Sequence, residues 1–106
     1  MDNQFDVSFL FEKVDQQSIS RLTFSATVTA KRILTINSKS SHAYYKLASL
    51  SFRQQNYAKA EKFFKRATTI DPYFTIAHFN WGVSLARQRR FDQACIQFQK
   101  ALDLDP

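Results

Sequence analysis

Tyr57-Ala58-Lys59-Ala60-Glu61-Lys62-Phe63-Phe64-Lys65-Arg66-Ala67-Thr68-Thr69-Ile70-Asp71-Pro72 returns in chemical outline as Phe91-Asp92-Gln93-Ala94-Cys95-Ile96-Gln97-Phe98-Gln99-Lys100-Ala101-Leu102-Asp103-Leu104-Asp105-Pro106. The offset is 34 residues: Tyr57 meets Phe91, Ala60 meets Ala94, Phe64 meets Phe98, Ala67 meets Ala101 and Pro72 meets Pro106. Upstream, Ala43 meets Ala77 at the same offset. A period between roughly 20 and 50 residues marks a solenoid, in which each unit buries its apolar face on its neighbours. A period of 34 belongs to the helix–turn–helix class. Such an array builds a surface for binding rather than a pocket for chemistry.

Within each unit the spacing is helical. Tyr44, Leu47, Ala48, Leu50 and Ser51 share one face of a helix that should end near Gln54–Asn56. Asn56 is an N-cap for the next helix, because its side chain accepts from backbone N–H groups left open at a helix start. That helix carries Tyr57, Ala60, Phe63, Phe64, Ala67 and Ile70 on an apolar stripe, opposite Lys59, Lys62 and Arg66. Asp71-Pro72 stops it, since proline disfavours helical geometry in the residue before it. The pattern restarts with Ile76, Phe79, Trp81, Gly82, Leu85 and Ala86. A basic turn, Arg87-Gln88-Arg89-Arg90, leads into Phe91, Ala94, Cys95, Phe98, Ala101 and Leu102.

The first 40 residues fit the period less well. A further shift of 34 places Ala60 on Ala26, but Phe64 on Ala30 and Pro72 on Ser38, which predicts a degenerate first unit. Ile19, Leu22, Ala26, Ala30, Ile33 and Leu34 suit a helix from about Gln17 to Ile36, despite four Thr and Val residues of modest propensity. Phe5, Val7, Phe9 and Phe11 alternate as in a strand, while Leu10, Phe11 and Val14 allow a helix. A short helix is favoured because no second strand is available. The expected organisation is a degenerate N-terminal helical segment or cap over 1–40, then units over 41–74 and 75–106. The fold expected is an all-α, right-handed superhelical array of antiparallel helical hairpins, with about six helices.

With 106 residues and 44% hydrophobic content, the chain bounds one folded domain of modest core. Only one Gly and two Pro argue against an all-β fold. Cys95 is the only cysteine and is read as a small core residue carrying an intracellular thiol. The acidic start Met-Asp-Asn-Gln-Phe-Asp and the lack of a long apolar run predict a soluble protein of the cytoplasm or another intracellular compartment, with no membrane span. The net charge of +6 is concentrated: Lys31 to Lys100 holds 13 Lys/Arg against three acids. This balance either favours acidic partners or simply solvates exposed helix faces.

The opening pattern, the A-x3-F and the closing Pro resemble the tetratricopeptide repeat. Tyr44, Leu47, Ala48 and Ser51 precede Ala60-x3-Phe64 and Pro72; His78, Trp81, Gly82 and Leu85 precede Ala94-x3-Phe98 and Pro106. Ser51 and His78 depart from the aromatics usual there, which predicts looser packing at both. In this reading Ala48, Gly82, Ala60 and Ala94 let paired helices approach, and Phe64 and Phe98 fill the space between hairpins. The resemblance implies a concave binding face formed by the first helix of each hairpin. Its outward positions are His42, Tyr45, Lys46, Ser49, Phe52 and Arg53, then Ile76, Phe79, Asn80, Val83 and Arg87. Exposed aromatics beside Lys46, Arg53 and Arg87 would suit an acidic or partly apolar peptide or helix. Some relatives grip a C-terminal carboxylate there with Lys, Asn and Arg. Asn80 matches one such position, but Tyr45 and Ser49 stand where that set needs Lys and Asn, so no clamp is expected.

Nothing points to catalysis. His42 and His78 have no Cys or carboxylate at metal-ligand spacing, and His78 is read as a satisfied core histidine. A single glycine leaves no phosphate loop, and no triad spacing occurs. No enzyme activity, metal or cofactor is expected. A protein-interaction module ranks first, as adaptor, scaffold or assembly factor. Second comes a longer repeat array or a self-associating unit, with a homodimer through the uncapped C-terminal helix that bears Phe91, Cys95, Phe98 and Leu102. Nucleic-acid binding ranks third, because the bases are spread over several faces.

Overall fold

Caps and stops divide the chain where the repeat requires. Ser40 Oγ accepts from the Ala43 N–H (3.2 Å) to start α2, Ser41–Arg53. Asn56 Oδ1 accepts from the Lys59 N–H (3.3 Å) to start α3, Tyr57–Ile70. After α3, Asp71 is extended (φ −127°, ψ 93°), as the residue before Pro72 must be. Helices α4, Thr75–Arg87, and α5, Phe91–Leu104, repeat the hairpin and end at Asp105-Pro106. The computed structural model describes residues 8–106, with side chains described from residue 20, and every element in it is α-helical.

The turn inside each hairpin also repeats. Gln55 and Arg89, 34 residues apart, both hold φ 61°, in the left-handed region. The Asn56 N–H reaches Ser51 O and the Gln55 N–H reaches Phe52 O, each at 2.9 Å. Arg90 to Leu85 (2.9 Å) and Arg89 to Ala86 (3.0 Å) reproduce that double bond pattern, which satisfies carbonyls left open at a helix end. A side chain in this conformation is strained and glycine is not. Gln55→Gly and Arg89→Gly are each expected to stabilise the protein by about 0.5–1 kcal/mol after the entropy cost of glycine. Urea midpoints should rise for both, and fall for Gln54→Gly, whose φ of −82° gives glycine no advantage.

Helix α1 departs from expectation. It runs unbroken over Ser8–Ile36, 29 residues, where the pattern predicts two segments. No Gly or Pro lies between residues 8 and 36, so nothing turns the chain back into a hairpin. Five helices therefore span the described residues. Phe5 and Val7 lie outside them.

α2 pairs with α3 and α4 with α5; α3 packs on α4, and α1 packs on α2. The core sits at the α2–α3–α4 junction, where Ala48, Ala60, Phe64 and Ala77 are at most 1% exposed, ringed by Tyr45, Phe52, Phe63, Phe74 and Trp81. The departures at Ser51 and His78 do not loosen it. Ser51 is buried, with Oγ donating to Leu47 O (3.0 Å). His78 is buried too: its Nε2 donates to Pro72 O (2.9 Å), and Nδ1 lies 3.1 Å from the Gln97 side-chain amide. The expectation of a satisfied core histidine holds.

The second hairpin is less enclosed than the first. Phe98 is only half-buried, while Phe91 and Leu102 are exposed. Cys95 is also exposed, not the core residue expected. The cause is shared: among the described residues no helix covers the outer side of α5. Phe98 instead leans on Gly82, where an added Cβ would lie 2.6 Å from the ring. The equivalent Ala48 is accommodated beside Phe64. Overall dimensions of 55 × 35 × 24 Å show an elongated molecule.

Candidate partner-binding face

The positions expected to face a partner fall into three groups. Tyr45, Asn80, Phe52 and Arg87 tie the repeats together. Tyr45 is half-buried, its ring 5.0 Å from Phe74 and 5.9 Å from Phe64, and its hydroxyl accepts from Asn80 Nδ2 (3.2 Å). Asn80 is therefore engaged by the tyrosine itself. The Arg87 guanidinium lies 5.7 Å from the Phe52 ring and 5.8 Å from the Tyr57 ring, and Nη1 donates to Tyr57 Oη (3.1 Å). Phe52 and Tyr57 meet edge to face at 5.2 Å. These contacts hold α4 on the first hairpin, and each carries modest energy beyond its buried area.

Lys46 and Arg53 form the second group, exposed along α2, with Ser49 half-buried between them. His42 is exposed and stacks near Tyr45 at 6.4 Å. Arg53 lines a gap beneath α1 rather than joining the aromatics of α4.

The third group is apolar. Ile76 and Phe79 are 47% and 46% exposed, with Val83 half-buried further along α4. With Phe98, Ala101 and Leu102 of α5 they line a groove of about 500 Å³, which Thr75 and Asp105 edge with polar groups. Phe79 and Phe98 pack at 5.5 Å. One repeat earlier the corresponding residues are His42, Tyr45, Phe64, Ala67 and Thr68. There α4 covers the groove, with Phe74 on Tyr45 and Ala77 in the core cluster.

Sequence reasoning passed over Phe74. Its repeat counterpart is Ser40, which caps α2, whereas Phe74 stands at the start of α4 and makes no side-chain cap bond. It gives up capping for packing on Tyr45. Its position just before an apolar helix, after Asp-Pro, was the available signal.

The family model of the tetratricopeptide repeat matches residues 41–74 and 75–106. The chain belongs to the tetratricopeptide repeat family. Two crystal structures of MamA share the fold of this tetratricopeptide repeat chain. One is 24% identical with a TM-score of 0.77, over 82% of this chain and 51% of that one. The other is 25% identical with a TM-score of 0.72, over 78% and 45%. This chain spans about half the length of those MamA chains. No curated protein matches it in sequence. Tetratricopeptide repeats support protein–protein interaction as its general role. Among the described residues, no helix is long and apolar enough to cross a membrane.

Proposed function

We propose that this protein holds an amphipathic helix or peptide of a protein partner, without catalysis, with the partner's apolar side in the groove of Ile76, Phe79, Phe98 and Leu102. One observation carries the reading: the equivalent groove, one repeat earlier, is filled by helix α4. Half-exposed Phe79 is an aromatic anchor of the kind that dominates interface energetics. Lys46 and Arg53, exposed on α2, favour acidic groups on the partner and speed its arrival.

The test is capture of partners from the native cell with the wild-type chain and with Ile76→Ser/Phe79→Ser. A protein retained by the first and lost with the second is the expected result. For that partner Phe79→Ala should act mainly on the off-rate, and Arg53→Glu on the on-rate and its salt dependence. Retention of the same proteins by both chains overturns the groove as the site. Exposed Leu102 and Phe91 on α5 favour a second reading, self-association through this face. If the retained protein is a further copy of the chain, that reading replaces the first.

A further inference from the structure

Two junctions in this molecule use the same repeat positions, so one serves as a reference for the other. Where α3 meets the second hairpin, Tyr57 Oη accepts from Arg87 Nη1 (3.1 Å) and Glu61 pairs with Arg90 Nη1 (2.7 Å). An aromatic and a carboxylate from α3 thus occupy the space before two arginines. Thirty-four residues earlier, where α1 meets the first hairpin, Thr23 and Thr27 stand in place of Tyr57 and Glu61; Arg53 keeps the place of Arg87, while Asn56 stands in that of Arg90. Thr27 Oγ1 turns back to the Thr23 carbonyl (2.8 Å), onto its own helix.

The two short side chains leave a gap of about 440 Å³, with Lys31, Arg53 and Lys59 together with Phe24, Leu47 and Phe63 in its lining. That is many times a water's share of liquid volume, about 30 Å³. Among the described residues, no acidic one lines the gap. Among the described side chains the only ion pair is Arg90–Glu61, and none of the described carboxylates pairs with Lys31, Arg53 or Lys59. A recess with three cations and aromatic walls is complementary to a carboxylate beside an aromatic ring. The carboxylate gains charge-assisted hydrogen bonds, and the ring gains contact with Phe24, Phe63 and the Arg53 guanidinium.

The geometry points to a second docking site in the gap beneath α1, for a partner peptide carrying an acidic and an aromatic side chain close together. The aromatic side chain of such a segment takes the place that Tyr57 fills within the chain, and its carboxylate meets Lys31, Arg53 and Lys59 in place of a counterpart to Arg90. The site lies on a different face from the α4–α5 groove and stands whether or not that groove binds a partner.

A fluorescein-labelled peptide of sequence Gly-Ser-Glu-Tyr-Glu-Tyr-Gly-Ser, followed by fluorescence anisotropy at moderate salt, tests it. Saturable binding is expected, at least tenfold tighter than for the same peptide with Gln in place of Glu. Thr23→Tyr/Thr27→Glu rebuilds the internal pair; it should fill the gap, weaken peptide binding at least tenfold and raise the melting temperature. Arg53→Gln/Lys59→Gln should weaken binding to the same degree with an unchanged helical circular dichroism spectrum. Ile76→Ser/Phe79→Ser should leave the peptide affinity unaltered, which separates this site from the groove. Equal affinity for the Gln peptide, undiminished binding to a folded Thr23→Tyr/Thr27→Glu chain, or no saturable binding to the wild-type chain overturns the proposal.

Discussion

Phe64→Ala is expected to lower the unfolding free energy by roughly 3–5 kcal/mol, the range for truncating a large buried aromatic. Phe64 is 1% exposed, and its ring sits among Ala48, Ala60 and Ala77, so α2, α3 and α4 all contribute to the cavity that its loss would open. Small residues cannot collapse into that space without moving whole helices, which places the cost towards the upper end. Against a typical domain stability of about 5–15 kcal/mol this is a large fraction of the total. Phe98→Ala removes the same side chain from the equivalent position and should cost clearly less, because Phe98 is only half-buried. Lys62→Ala, on the solvated face of α3, should stay within about 0.5 kcal/mol of the parent. Urea denaturation of the three variants checks the order. Equal midpoints for the two phenylalanine variants would mean that the second hairpin is as enclosed as the first.

Ala60→Leu is the second large effect expected, and it tests the opposite error, too much volume. Ala60 is fully buried where α2, α3 and α4 converge, and its repeat counterpart Ala94 is 1% exposed. Added methylenes at a packed helix crossing force off-rotamer side chains or backbone shifts, at a typical cost of 1–3 kcal/mol. For Ala60→Leu about 3 kcal/mol is expected, since three helices meet there, and Ala94→Leu should cost less because the side of α5 beyond it is open. Ala58→Leu, exposed two residues away on the opposite face of the same helix, is the control and should be close to neutral. Thermal unfolding followed by circular dichroism separates these cases. A parental melting temperature for Ala60→Leu would mean that the helices are not in the close contact described.

Much of the fold was legible because the residues that specify it act locally. Asn56 caps, Pro72 and Pro106 stop, and Ala48, Ala60 and Ala77 mark close helix approach, each through backbone chemistry or size. His78 was legible as a buried histidine because its place in the repeat is a packing position. The continuity of α1 was not. Alternation at Phe5, Val7, Phe9 and Phe11 competes with helical spacing, and a hairpin was expected there by analogy with the two that follow, although no turn residue enforces it. The candidate face was read onto α2 and α4, without the contacts that engage several of its side chains. The Tyr45–Asn80 hydrogen bond and the seat of Arg87 between Phe52 and Tyr57 are contacts between residues at least 30 positions apart. Their pairing depends on the angle between repeats, which no local pattern encodes.

The packing of α1 chiefly on α2, outside the buried Phe64 cluster, makes stability unequal along the chain. In such a linear array each element is held only by its neighbours, and end elements open without unfolding the centre. α1 is therefore the element expected to detach first, while both hairpins remain folded. A ligand seated beneath α1 would bind the closed state alone. Its binding free energy would then be spent first on securing that helix, so recognition at this end of the molecule is coupled to local order.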